Sequence, residues 1–212
     1  MIIHDLTLPL NEEIPVYPGD PPFKINTISS LENSDEYNLS SISLCLHCGT
    51  HIDAPFHFRR NGKKVEDFSL EYLIGEAYIV NILNSSVINA EIMKRAVVNI
   101  ETERLIIRTG FMHQSLNKSW DEGYPSLTED ASEWLINNKK LKILGIDSPD
   151  IDLFHNREFP VHKIFADNDI LVIENLDLSK EEEGKGRIII SPLYVEGVEA
   201  LPARVYFLKD IG

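Results

Sequence analysis

Apolar runs of strand length recur along this chain too often for an all-helical fold to absorb them. "HDLTLPL" begins at residue 4, "FKINTIS" at 23, "NLSSISLCLH" at 38, "AYIVNIL" at 77 and "RLIIRTG" at 104. "LKILGID" follows at 141, "DILVIEN" at 169, "RIIISPL" at 187 and "RVYFLK" at 204. Several are apolar on both faces that an extended backbone presents, which suits strands covered on both sides by other layers. Helical signals lie between them. "NAEIMKRAV" starts at Asn89, a good N-cap side chain. "SLTEDASEWLINNKK" opens with Ser126 and Glu129 at capping-box spacing and closes on Lys139 and Lys140, which complement a helix C-terminus. "FPVHKIFADN" reads as one short helix. The pattern predicts a single α/β domain over residues 1–212, a mixed β-sheet core with flanking helices. The acidic run "SKEEEGKG", 179–186, reads as a solvated loop.

Charge narrows the partners. With 34 acidic against 20 basic residues the formal net charge is -14, so a nucleic-acid backbone would be repelled over most of the surface. No apolar run approaches the ~20 residues of a membrane-spanning helix. The opening "MIIHDLTLPL" breaks its apolar character at Asp5 and has no secretory core. A cytoplasmic protein with no nucleic-acid or membrane partner is the expectation. Cys45 and Cys48 have the spacing of a zinc or redox pair, but the second pair of a zinc ribbon is absent. On an extended backbone the two would point to opposite faces, so both read as reduced, structural thiols.

Between residues 47 and 57 the chain reads "HCGTHIDAPFH". His47, His51, Asp53 and His57 share odd numbering, so an extended backbone would project all four to one side; Gly49 and Pro55 make a helix unfavourable there. Three imidazoles and a carboxylate brought together are costly as architecture alone, because each buried polar group needs a partner. A divalent cation satisfies them jointly, and zinc, manganese and iron all accept these donors. His47, His51 and Asp53 would supply three ligands and leave a position open for water. Cys45 stays open as a fourth. A hydrogen-bonded polar cluster and a two-histidine, one-carboxylate iron oxygenase are the alternatives that the residues themselves leave standing.

The same stretch resembles the H-x-G-T-H-x-D-x-P-x-H signature of the cyclase family of metal-dependent hydrolases, with His47, Gly49, Thr50, His51, Asp53, Pro55 and His57 at every fixed position. "VYPGD" at 16–20, "LIIRTG" at 105–110, "LGIDSPDID" at 144–152 and "VHKIFADNDILVIENL" at 161–176 are similar to further family landmarks in the same order. The resemblance implies a swivelling β/β/α-like fold, at least a homodimer, and one or two zinc ions per chain, with manganese as the alternative. It further implies that His47, His51 and Asp53 hold a first metal, that His162 holds a second, and that Asp53 and Glu174 bridge. His57 would be the general acid/base and Tyr17 a substrate contact. The implied substrate is a small amide, first an aryl formamide and second a lactam or imide. Family members acting on formylkynurenine have tryptophan where this chain has Tyr17. Glu174 has independent support: it ends the buried run "DILVIE", where a lone carboxylate would be costly. His4, His113 and His155 read as structural or solvated. Phe23, Phe56, Phe58 and Trp120 are candidates for an apolar wall or for core.

Overall fold

The computed structural model describes residues 1–111 and 120–209. The expectation placed on His113 lies outside them. In chain order the strands are β1 (Ile2–Asp5), β2 (Lys24–Ser29), β3 (Leu39–Ser43), β4 (His51–Asp53), β5 (Ile74–Asn81), β6 (Val87–Ile88), β7 (Arg104–Arg108), β8 (Ser126–Leu127), β9 (Ile143–Ile146), β10 (Leu171–Glu174), β11 (Gly184–Pro192) and β12 (Ala200–Lys209). The α-helices are α1 (Leu70–Leu73), α2 (Ala90–Val97), α3 (Glu129–Asn138) and α4 (Pro160–Asp167).

An eight-stranded mixed sheet runs β1-β12-β11-β5-β7-β9-β10-β4, and β4 also pairs with β12. The sheet therefore closes on itself, which leaves few free edges. Strands β5, β7, β9 and β10 are parallel neighbours, while β4, β11 and β12 join antiparallel. Alternation along these strands feeds two cores. Ile52, Ile79, Ile106, Ile173, Val205 and Phe207 fill one face. Val80, Leu105, Ile107, Leu144 and Val172 meet Met93 of α2, Leu135 of α3 and Phe165 of α4 on the other. This double covering is why the strand runs are apolar at consecutive positions.

Asn89 caps α2 as expected, accepting from the Ile92 amide at 3.0 Å. Helix α3 departs from the expectation: Ser126 belongs to β8, and the helix begins after Thr128, which stands at its N-cap. Pairing of β8 with β6 takes Ser126, the residue that a capping box would have required at the N-cap. The acidic run is also corrected. Gly184 already lies in β11, and Glu181 is buried, with His4 Nδ1 at 2.5 Å and Lys209 Nζ at 3.0 Å. Among the described residues no helix is long and apolar enough to cross a membrane. Strands β2 and β3 form a separate two-stranded ribbon whose Ile25, Ile28, Leu39 and Ile42 are exposed.

Candidate metal centre

The chain between residues 44 and 57 is not extended as its parity suggests. It turns at Cys45–Cys48, where the Cys48 amide donates to the Cys45 carbonyl at 3.1 Å. Gly49 follows with φ +67°, and only His51–Asp53 is strand before a 3-10 turn over Pro55–His57. Alternation accounts for His51 and Asp53 alone; His47 is delivered by the turn and His57 by the 3-10 turn. The register then sets Glu174 of β10 directly opposite His51. Both face the helical layer, where α4 brings His162 down onto them.

A tight cluster results. Asp53 Oδ1 lies 2.9 Å from His47 Nδ1 and 3.3 Å from His51 Nε2, while its Oδ2 lies 3.4 Å from His162 Nε2. Glu174 reaches His51 Nε2 and His162 Nε2, each at 3.4 Å. His51, Asp53, His162 and Glu174 are 1–6% exposed. These contacts are close but poorly aligned: His51 Nε2 and both Asp53 carboxylate oxygens are buried without a hydrogen-bond partner. Orphaned polar atoms at such burial are costly. Imidazole nitrogens and carboxylate oxygens converging on one point are the donor set of a divalent cation. His47, Asp53 and His57 form one ligand-like group, and His51, Asp53 and Glu174 another. The residues therefore fit the metal that the resemblance implies.

Electrostatics agree. Burial pulls the His47 and His51 pKa values down, but Asp53 together with Glu199 at His47 and with Glu174 at His51 outweighs it and raises them to about 9 and about 10. Burial likewise opposes protonation of His162, yet Asp152, Asp53 and Glu174 hold its pKa well above the ordinary value. Burial would raise Asp53, and the His47 and His51 charges instead keep it well below the carboxylate range. In the metal-free chain, protons thus neutralise carboxylates that a cation would otherwise satisfy. His57 behaves oppositely: burial, aided by the His47 and His162 charges and opposed by Asp53, lowers it to about 4.

Tyr17 lies in an adjoining aromatic group. Pro18 and Gly19 make the central turn positions, Gly19 with φ +105°, and the Asp20 amide closes on the Tyr17 carbonyl at 2.9 Å. The Tyr17 ring packs edge-on to Trp120 at 5.2 Å and near Phe154 at 6.1 Å, and its hydroxyl touches Arg157. Phe58 meets His57 edge-on at 4.2 Å and lies tilted against His162 at 4.8 Å. Phe23 is core with Leu8 and Ile14; Phe56 lies beneath Lys64. Cys45 Sγ contacts Asp20 Oδ2 at 3.2 Å rather than the cluster, and both cysteines are free. His155 is exposed. A groove lined by Glu76, Tyr78, Glu103, Arg104 and Lys185 shares no residue with the cluster.

Sequence reasoning overlooked the residues behind the ligands. Asp150 and Asp152 are buried beside His162. Burial and the Glu174 charge push Asp150 up to about 7, against the His162 charge. The signal was the pair of aspartates in an otherwise apolar-flanked "SPDID". Gly49 also does more than turn the chain, because its carbonyl accepts from His51 Nδ1 at 2.8 Å. Gly49→Ala places a Cβ 2.6 Å from Leu10 Cδ2 in a left-handed conformation. It should cost about 1–2 kcal/mol and lower the melting temperature of the metal-free protein by several degrees; an unchanged melting curve would contradict this account.

The chain is similar to known proteins along nearly its whole length. The Cyclase family model matches residues 4–153, which include the 47–57 motif and end before His162. Kynurenine formamidase of Bacillus mycoides (strain KBAB4) is 32% identical over 201 residues, covering 94% of each chain. A solved structure described as a potential metal-dependent hydrolase with cyclase activity superposes with a TM-score of 0.84 at 26% identity, over 100% of this chain and 99% of that one. Isatin hydrolase A of Ralstonia solanacearum shares the fold, with a TM-score of 0.82 at 21% identity over 99% and 92% of the two chains. A closed mixed sheet, a buried cluster of cation donors and these relatives define a metal-dependent hydrolase. More specifically, the chain belongs to the Cyclase family.

Proposed function

We propose that this protein hydrolyses the C–N bond of a small amide, an aryl formamide such as N-formylkynurenine in the first instance. The observation that carries the reading is the convergence of three imidazoles and two carboxylates on a buried point where three of their polar atoms have no partner. His47, His51 and Asp53 would hold a first zinc ion and His162 a second, with Asp53 and Glu174 shared; manganese is the alternative metal. When bound, the cation supplies Lewis acidity toward water and toward the substrate carbonyl. His57, neutral at pH 7 through its burial, takes a proton from the attacking water and hands it to the leaving nitrogen. Tyr17, in its aromatic group with Trp120 and Phe154, offers a ring for the aryl part to pack on. The 32% identity to a kynurenine formamidase supports the amide substrate.

A second reading, hydrolysis of an isatin-like cyclic amide, is favoured by Tyr17 itself, which stands where formylkynurenine-specific members carry tryptophan. A non-catalytic metal-binding role is disfavoured by His57 beside the ligands. Purified protein should be assayed against N-formylkynurenine, formanilide and isatin, with metals counted per chain and with zinc or manganese added. Hydrolysis that is lost with a chelator and restored by either ion is the expected result. No bound metal and no rescue by either ion would overturn the reading. A cytoplasmic location belongs to the same reading.

For the implied homodimer the β2–β3 ribbon offers a surface. A lone two-stranded ribbon is marginal in water, and Ile25, Ile28 and Ile42 are 48–59% exposed. A second copy is the occupant we infer for that face. Ile42→Asp should convert a dimer into a monomer in sedimentation velocity, and an unchanged dimer would reject this surface.

A further inference from the structure

Asp152 is 1% exposed and spends both carboxylate oxygens on the first residues of α4. Oδ1 accepts the Val161 amide at 2.9 Å; Oδ2 accepts the His162 amide at 3.0 Å and faces His162 Nδ1 at 2.7 Å. A carboxylate at that distance holds a proton on Nδ1, so that Nε2, lying 3.4 Å from Asp53 and Glu174, is the nitrogen left to face a cation. The neighbouring backbone works the same way. The Ile151 amide donates to Glu174 Oε1 at 2.8 Å, and the Asp152 amide is itself held by Asp150 Oδ1 at 2.7 Å. His51 differs, since its Nδ1 meets only the neutral Gly49 carbonyl. A charged partner raises the basicity of an imidazole donor more than a neutral one does.

We propose that Asp152 is a positioning residue that locks the His162 ring and tautomer and so creates the second metal position, leaving the first to His47 and His51. The proposal rests on the two-centre form of the reading above. Its consequence is that the two positions are separable by one substitution outside the ligand set.

The test uses the full chain stripped of metal and titrated with zinc against a chromophoric chelator, for wild type, Asp152→Asn and Asp152→Ala. Far-UV circular dichroism and melting of the metal-free proteins run alongside. In wild type two zinc ions bind, and the zinc-loaded protein shows a slowly exchanging His162 Nδ1–H in its imidazole nitrogen spectrum. In both variants the first zinc is expected to bind as in wild type, the second about 10–100-fold more weakly, and that Nδ1–H signal is lost. Wild-type affinity for the second zinc in Asp152→Ala overturns the proposal. So does a parallel loss of both zinc ions with a collapsed melting transition, which would make Asp152 only a cap for α4. Wild-type protein that binds a single zinc removes the two-centre reading and this proposal with it, whereas two tight ions in every variant remove the proposal alone.

Discussion

Asp53→Ala should leave the protein unable to retain metal at either position and without measurable hydrolysis. Asp53 is the side chain that both halves of the cluster share, with Oδ1 toward His47 and His51 and Oδ2 toward His162. Truncation removes the negative charge that keeps those imidazoles protonated in the metal-free state and the carboxylate that would itself bind the cation in the loaded one. Each of those histidines then loses an anionic partner, with Glu174 left at His51, and Glu174 and Asp152 left at His162. Removing one partner of a buried ion pair costs about 3–5 kcal/mol, so the metal-free variant should also melt roughly 10 °C lower at this chain length. Asp53→Asn separates charge from volume: it keeps the shape, so it should lose metal equally while losing less stability. Metal analysis after dialysis, together with melting curves with and without excess zinc, checks both statements. Wild type should gain stability on adding zinc, by about 4 kcal/mol when zinc is a thousandfold above its dissociation constant, and neither variant should respond. Wild-type metal content in Asp53→Ala would show that Asp53 is not the shared ligand.

The strands were legible because a sheet covered on both faces writes consecutive apolar residues, as in Ile79–Val80 and Leu105–Ile107. Closure of that sheet was not. It depends on three residues of β4 pairing with both β10 and β12, and a run of three carries no periodicity to read. The ligand-type residues were legible by chemistry, but the reason offered for their convergence was wrong. Parity on an extended strand explains His51 and Asp53; the turn at Cys45–Cys48 and the left-handed Gly49 explain how His47 arrives. Glu174 was visible as a carboxylate ending an apolar run, and its burial and register opposite His51 agree with that. Glu181 shows the limit of the same logic. An acidic run reads as solvated, yet one of its members is buried against His4 and Lys209, partners more than twenty residues away in sequence. Asp152 was hidden for a similar reason, since its meaning lies in a ring ten residues downstream.

His57→Ala should lower kcat by about 10²–10⁴-fold, the usual contribution of one general acid/base, with both metals still bound. That is about 3–5 kcal/mol of transition-state stabilisation. The prediction is sharp because the geometry admits a rival: His47, Asp53 and His57 together have the spacing of a metal-binding group. One observation favours the proton-transfer role. The His57 ring sits 4.3 Å from His47 and 5.9 Å from His162, but no ion contact joins it to either shared carboxylate among the described residues. Burial lowers its pKa to about 4, which leaves the ring neutral at pH 7 in either role. The 3-10 turn fixes the ring through the hydrogen bond that its backbone amide donates to the Ala54 carbonyl at 2.9 Å. If His57 is the base, truncation leaves metal content and KM near wild type, and added imidazole should restore part of kcat by entering the space the ring vacates. If it is a ligand, the same variant loses zinc on dialysis and excess zinc restores activity where imidazole does not. Metal loss in His57→Ala would therefore reassign the residue as a ligand.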